Sequence, residues 1–323
     1  MQPKTFYRFA KIIFVLRGFM ARRHWSIDLL DFIFKRRILG CRVPLLASVK
    51  LTYRCNLRCL GCPFHLRANG KRAHMSYETA IASLDTLKRM GTRIVIFEGG
   101  EPFLWKDGRY SFSDIAAYAR ERFFRVGVTT NGTFPLEAPV DVLWVSVDGL
   151  PETHDRLRSN SFASIAANLR ATTHPKVLVH FTMNRENWRD INGLAEMMRS
   201  FHRVRGMTVQ FFYPYNQGEE PLALSPDERR DAVAEALRLK GRGFPLLNSA
   251  SRLRAMIDNT WKCHEDILAN VDPDGTCETG CYVKNRGTVN CAACGFTPVA
   301  EASGAIDFIP GSLMAGWKIF VSP

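Results

Sequence analysis

Long apolar runs are missing from the first forty residues. Ile12 to Leu16 is the longest unbroken one there, whereas a bilayer-spanning helix needs ~20 residues. Arg17 then cuts the segment and no clear small-residue cleavage site follows, which makes a poor secretory signal. Acidic residues are also scarce: 31 Asp and Glu stand against 44 Lys and Arg, for a net charge of +13 in 323 residues. The imbalance is local, because residues 1–42 hold ten basic side chains against Asp28 and Asp31 and so carry +8 of the excess. A nucleic-acid protein would spread its basic surface over the folded body, so no nucleic-acid partner is expected. A disulfide framework is absent too. The nine cysteines are odd in number and fall into an early group (Cys55, Cys59, Cys62) and a late one (Cys263, Cys277, Cys281, Cys291, Cys294), with Cys41 apart. Two tight groups argue for metal and for a reducing, cytoplasmic compartment. With 46% apolar residues, a sizeable core is available and wholesale disorder is excluded.

The early cysteines follow an apolar run, Leu45 to Leu51, that reads as a buried strand. They are spaced Cys55-x3-Cys59-x2-Cys62 and so sit on the loop leaving that strand, where folds built of strand-helix units place their chemistry. Three thiolates on one tight loop can fill three corners of a four-iron, four-sulfur cube and leave the fourth iron open. The plainer reading is a structural zinc loop, but zinc recruits Cys-x2-Cys pairs and a trio leaves it one ligand short.

The rest of the chain alternates. Ser76 caps a helix running from Tyr77 to Met90 and closed by Gly91. Arg93 to Phe97 is a short buried strand that runs into Glu98-Gly99-Gly100-Glu101-Pro102. Two glycines at a strand end let backbone come close to a ligand; alone they are simply a turn. Ser113 is a candidate cap for a helix over 114–122. Further strands are expected over 124–128, 142–147, 176–183 and 207–213, and further helices over 160–171, 188–203 and 226–240. Six strand-helix units with polar strand ends argue for a parallel curved sheet with its site at the C-terminal ends of the strands.

These residues resemble the radical S-adenosylmethionine (SAM) enzymes. The resemblance rests on the cysteine trio, on Gly99–Pro102 as the family's "GGEP" tetrad, and on Ser146–Arg158 as its fourth strand and following loop. It covers about residues 47–240, with a further match at 261–296. It implies an α/β fold, a partial (β/α)6 TIM-like barrel, over residues 45–245. It also implies a [4Fe-4S] cluster on Cys55, Cys59 and Cys62 whose open iron binds SAM, with one electron cleaving SAM to a 5'-deoxyadenosyl radical that removes hydrogen from a substrate. Gly99, Gly100, Glu101 and Pro102 would hold the methionine amino group. Thr130, Asn131, Ser146, Asp148 and Asn184 are candidates for the ribose or carboxylate, against the alternative that each merely satisfies a loop. An electron donor such as ferredoxin or flavodoxin is implied. Where many members carry an aromatic before the third cysteine, this chain has Gly61, so Phe64, Phe212 or Tyr213 is expected to cover the adenine.

The late cysteines flank Asp272-Pro-Asp-Gly275, strong hairpin-turn chemistry. Their layout resembles the SPASM and twitch extensions that hold auxiliary [4Fe-4S] clusters. With enough thiols for one cluster, residues 246–323 are closer to twitch; Cys263, Cys281, Cys291 and Cys294 are the expected ligands, Cys277 a substitute for one of them or an acid near substrate, and zinc the alternative metal. Residues 1–44 form a basic segment with apolar residues at helical spacing. Its amphipathic helices lie either in the membrane interface, on the inner face, with residues 1–40 making peripheral contact, or packed on the catalytic domain. The leading functional expectation is a radical SAM enzyme, with a lipid or other membrane-resident substrate suggested by the basic start. The runner-up is a peptide or protein maturase, and the non-enzyme rival is a zinc-binding nucleic-acid module.

Overall fold

The computed structural model describes residues 25–70, 72–284 and 287–322. The expected helices before residue 25 lie outside the described residues. Helix α1 (Trp25–Arg37) is followed by six strands, and a helix follows each of them except the third, which reaches the fourth through the loop 131–141, so the chain has five strand-helix units where six were expected. The strands are β1 (Leu46–Lys50), β2 (Ile94–Glu98), β3 (Arg125–Thr130), β4 (Val142–Ser146), β5 (Val177–Met183) and β6 (Val204–Phe211). They pair in parallel, each with the next in sequence. Two strands extend the sheet beyond β1: β7 (Leu268–Val271), parallel to β1, and β8 (Cys277–Thr279), antiparallel to β7. The result is an eight-stranded mixed sheet in the order β8-β7-β1-β2-β3-β4-β5-β6, the partial-barrel α/β fold expected.

Strand alternation sorts the side chains into two layers. Ala47 and Val49 of β1, Val95 and Phe97 of β2, Val128, Leu143, Val145, Val179, Phe181, Met207 and Val209 join the core under the helices. Their neighbours face a central cavity: Leu46 and Ser48 of β1, Ile94, Ile96 and Glu98 of β2, then Trp144, Ser146, His180, Thr182, Thr208 and Gln210. The registers Leu46↔Ile94, Ser48↔Ile96 and Lys50↔Glu98 set these inward residues in tiers that are apolar at the strand starts and polar at the strand ends.

Most helix boundaries follow local chemistry. The Ser76 hydroxyl accepts from the Thr79 N–H and caps Tyr77–Arg89, and Gly91 lies at φ +89 just past the end. Pro226–Gly241 begins with a capping box in which Ser225 and Glu228 bond each other's backbone. The expected cap at Ser113 is two residues late: Ser111 is the N-cap, its N–H bonded to Asp114 at 2.8 Å. A seven-residue helix, Pro151–Leu157, was not anticipated; Pro at its first turn is pre-set for the helix. The helix expected over 188–203 is shorter, a 3-10 turn at Trp188–Asp190 and then Ile191–Met198.

A C-terminal helix closes the bottom of the barrel. The C-terminal helix Pro310–Phe320 brings Ala315, Ile319 and Phe320 to the cavity floor, with Phe320 edge-on to Trp144 at 6.0 Å. Helix α1 is held from outside by Asp31–Arg93 and Arg36–Asp266, both at 2.7 Å, and it buries Phe32. Its other face leaves Leu30 and Phe34 exposed, and Ile38 just past its end is exposed too. No described helix is long and apolar enough to cross a membrane. Phe32→Ala is expected to cost about 3–5 kcal/mol in denaturant-unfolding measurements; unchanged stability would mean that α1 is not part of the packed fold.

Candidate active site

The three early thiols sit on the loop above β1, and that loop is fastened on two sides. Leu60 N–H donates to Leu157 O at 2.9 Å and Arg58 N–H to Ser159 Oγ at 3.0 Å, which ties the loop to the segment after β4. On the other side the Gly-Gly turn after β2 presses against it. Gly100 N–H donates to Thr52 O and Glu101 N–H to Arg54 O, both at 2.9 Å. A Cβ at Gly100 would lie 2.1 Å from Arg54 O, so only glycine permits this approach.

One cavity of about 450 Å3 receives most of the expected site. Cys55, Cys59, Cys62, Gly99, Gly100, Thr130, Asn131, Ser146, Asp148 and Asn184 all border it. Glu101 and Pro102 do not. Glu101 is fully buried beneath the turn, where its carboxylate accepts from Asn131 N–H at 2.7 Å, Thr130 Oγ1 at 2.8 Å and Phe103 N–H at 3.1 Å. Burial raises its pKa to about 7 against these donors. Its side chain therefore acts as a brace between the ends of β2 and β3 rather than facing a ligand. Asp148 is also largely engaged: Oδ2 pairs with Arg158 Nε at 2.5 Å and Oδ1 accepts Thr182 N–H at 2.9 Å.

Burial raises the Cys55 and Cys59 pKa values, that of Cys59 to about 11, and neighbouring thiols add to both. Arg158 opposes this at Cys59. Three thiols in mutual electrostatic reach, a guanidinium beside them and a cavity where a fourth ligand would stand form a donor set that fits a four-iron cluster with one open iron. Among the described residues, no three His, Cys, Asp or Glu converge closely enough to hold a single metal ion; a four-iron cube offers four separate attachment points.

Phe212 fills the space that Gly61 leaves. A Cβ at Gly61, which lies at φ +71, would come within 2.6 Å of the Phe212 ring. The missing side chain makes room for an aromatic from the end of β6. Phe64 stacks on Tyr53 at 5.6 Å and also borders the cavity, as does Tyr213.

Four late thiols share one neighbourhood. Burial raises Cys263 to about 12, with Cys294, Cys281 and Cys291 contributing, and raises Cys294 with Cys281 and Cys291 contributing. Cys277 stands apart on β8, its sulfur 3.7 Å from Met90 Sδ. The Cys291–Cys294 turn is pinned to the end of β6, where Phe211 N–H donates to Gly295 O at 3.0 Å and Arg229 donates to Cys294 O at 2.5 Å. Asp272–Gly275 makes the expected turn between β7 and β8. Tyr213, Tyr215, Tyr282 and Phe296 pack with Cys281 and Cys294 and also border the cavity, so the late segment forms part of the cavity wall.

Sequence reasoning missed four side chains here. Arg158 closed a quoted run but received no role. Half-buried His180, held near pKa 4 by desolvation and bonded to Thr208 at 3.2 Å, sits mid-strand with no motif around it. Glu98 and Tyr282 meet only through the fold, with the Tyr282 hydroxyl donating to Glu98 Oε1 at 2.5 Å.

A parallel partial barrel with thiols and a Gly-Gly turn over its C-terminal mouth defines a cofactor-dependent α/β barrel site. Residues 49–198 match the family model of the radical SAM superfamily, and the chain carries a radical SAM domain there. Such domains work with a [4Fe-4S] cluster and SAM. Among curated proteins, the chain is 32% identical over 214 residues to the Fe-coproporphyrin III synthase of Methanosarcina barkeri, covering 60% of this chain and 52% of that protein. It is 27% identical over 172 residues to the subtilosin biosynthesis protein AlbA of Bacillus subtilis, covering 49% and 37%. The chain thus spans about half the length of the curated relatives it matches. Solved structures share the fold. Streptococcus suis SuiB aligns with a TM-score of 0.60 at 14% identity, covering 88% of this chain and 74% of that one. The structure of anSMEcpe with bound AdoMet aligns with a TM-score of 0.57 at 16% identity, covering 86% and 88%.

Glu101→Gln would turn one buried acceptor into a donor facing N–H groups. It is expected to cost about 1–3 kcal/mol, read as a lower melting temperature; an unchanged melting temperature would contradict the bracing role.

Proposed function

We propose that this protein is a radical SAM enzyme. Cys55, Cys59 and Cys62 hold a [4Fe-4S] cluster, and the cavity beside them receives SAM and a substrate. When bound, the cluster and SAM supply a 5'-deoxyadenosyl radical that takes a hydrogen atom. The observation that carries this reading is that the three thiols, Gly99, Gly100 and Asn131 border one cavity at the strand ends. Asn131 Nδ2 approaches Cys55 Sγ at 3.5 Å and so orients the thiol loop. Gly99, Gly100, Thr130, Ser146 and Asn184 are the candidate SAM contacts, Arg158 offsets thiolate charge, and Phe212 is the candidate adenine cover. Residues 45–245 serve as the catalytic unit and 246–323 as its extension. An external donor such as ferredoxin or flavodoxin supplies the electron. Nine thiols without a disulfide among the described residues suit a reducing cytoplasm.

The extension is assigned an auxiliary [4Fe-4S] cluster on Cys263, Cys281, Cys291 and Cys294, with Cys277 outside the ligand set. Peptide or protein modification is the second reading, supported by two relatives: AlbA, named for subtilosin biosynthesis, and SkfB, named for sporulation killing factor maturation. Those names point away from the lipid substrate suggested by the basic start. A membrane contact through residues 1–40 rests on the exposed apolar face of α1, and flotation with anionic liposomes tests it.

Incubation of the anaerobically reconstituted protein with SAM and dithionite should release 5'-deoxyadenosine, and Cys59→Ala should abolish it. No product from an iron-loaded protein would sink the reading. Iron analysis should give about eight irons per chain, about four after Cys281→Ser with Cys294→Ser, and an unchanged count after Cys277→Ser. Loss of iron in the Cys277 variant would move that residue into the ligand set.

A further inference from the structure

Glu98 is the last inward residue of β2, one position before Gly99, and its carboxylate is held from one side. Oε1 takes the Ser48 hydroxyl and the Tyr282 hydroxyl, and Lys50 Nζ lies 3.5 Å from the same oxygen. Lys50 is fully enclosed, with Asn270 Oδ1 at 3.2 Å and the face of Tyr282 at 4.8 Å from its ammonium. Among the described residues no donor reaches Glu98 Oε2. The side chain keeps 20% exposure and borders the cavity. A carboxylate braced on one oxygen and open on the other, within a cavity walled by Ile96, Trp144 and Phe296, is a built acceptor site.

Charge selects its ligand. Lys50 already offsets the Glu98 charge, so a substrate ammonium would be a second cation in a poorly solvated space, and a substrate carboxylate would meet Oε2 as a like charge. We infer that Glu98 recognises the substrate by accepting a neutral N–H or O–H donor carried on an apolar or aromatic body. Tyr282 of the late cysteine segment holds that acceptor in place. The inference deepens the proposed function, because it takes this cavity to be the substrate cavity.

The test is a binding measurement that needs no SAM cleavage, so its failure is distinguishable from failure of the radical SAM reading. N-acetyl-phenylalaninamide, its fully N-methylated analogue and phenethylammonium serve as probes. Binding is read by ligand-observed NMR on the reconstituted full chain with SAM and no reductant. The wild type should prefer the N–H probe over both others by about tenfold. In Glu98→Gln the donors on Ser48, Tyr282 and Lys50 keep the amide oxygen turned inward, so the NH2 group faces the cavity and the preference should vanish or reverse. Glu98→Asp draws the acceptor back by one methylene and should weaken the preference too, which keeps the test open if the Gln variant does not fold. Equal binding of the three probes to the wild type, binding of none of them, or a preference that survives either substitution would overturn the inference.

Discussion

The site depends on two loops touching backbone to backbone. Thr52 and Arg54 offer carbonyls, Gly100 and Glu101 offer N–H groups, and no Cβ fits between them. This contact holds one side of the thiol loop, and the Leu60–Leu157 and Arg58–Ser159 bonds hold the other. Beneath it, the Glu101 carboxylate carries the same brace to the end of β3 through Thr130 and Asn131. Asn131 then returns to the thiol loop, with its amide 2.8 Å from Asn56 Oδ1 and 3.5 Å from Cys55 Sγ. Three neighbouring strand ends are thus closed into a ring of hydrogen bonds under one loop. Buried, mutually satisfied polar networks of this kind fix a single arrangement, which is what a cluster-binding loop requires.

The late cysteine segment completes the barrel as well as carrying thiols of its own. Strand β7 extends the sheet past β1 and places Asn270 beside Ser48. Tyr282 then reaches from the residue after Cys281 to Glu98. The same segment therefore touches both the late thiols and the inward face of β2. Changes in the late thiols have a short covalent route to the cavity wall, through one peptide bond and one phenol.

Much of the barrel was legible because parallel strands buried on both faces read as apolar runs. Leu45 to Leu51, Val142 to Val147 and Lys176 to Met183 each fell on a strand. Gly99-Gly100 was legible as a place where backbone comes close, although the surface it approaches, Arg54 O, was not. The Glu101 side chain was assigned to the ligand side and lies behind the wall, because sequence places a residue at a strand end without saying which way it faces. Arg158, His180, Glu98 and Tyr282 were illegible for a related reason. Each owes its environment to residues tens of positions away: Tyr282 is 184 residues from Glu98, and His180 is 28 from Thr208. Gly61 was visible as a departure from the family's pattern, and its reason is the Phe212 ring packed upon it.

The central claim is that the early trio holds an iron cluster whose open iron takes SAM. Electron-nuclear double resonance on the reduced protein, with SAM labelled with 15N at the methionine amino group, tests this directly. Serines in place of Cys263, Cys281, Cys291 and Cys294 leave the early cluster alone in the spectrum. A 15N coupling to that cluster, absent after Cys59→Ala, is the result predicted. A reduced four-iron signal that shows no coupling to the labelled nitrogen at saturating SAM would contradict the account.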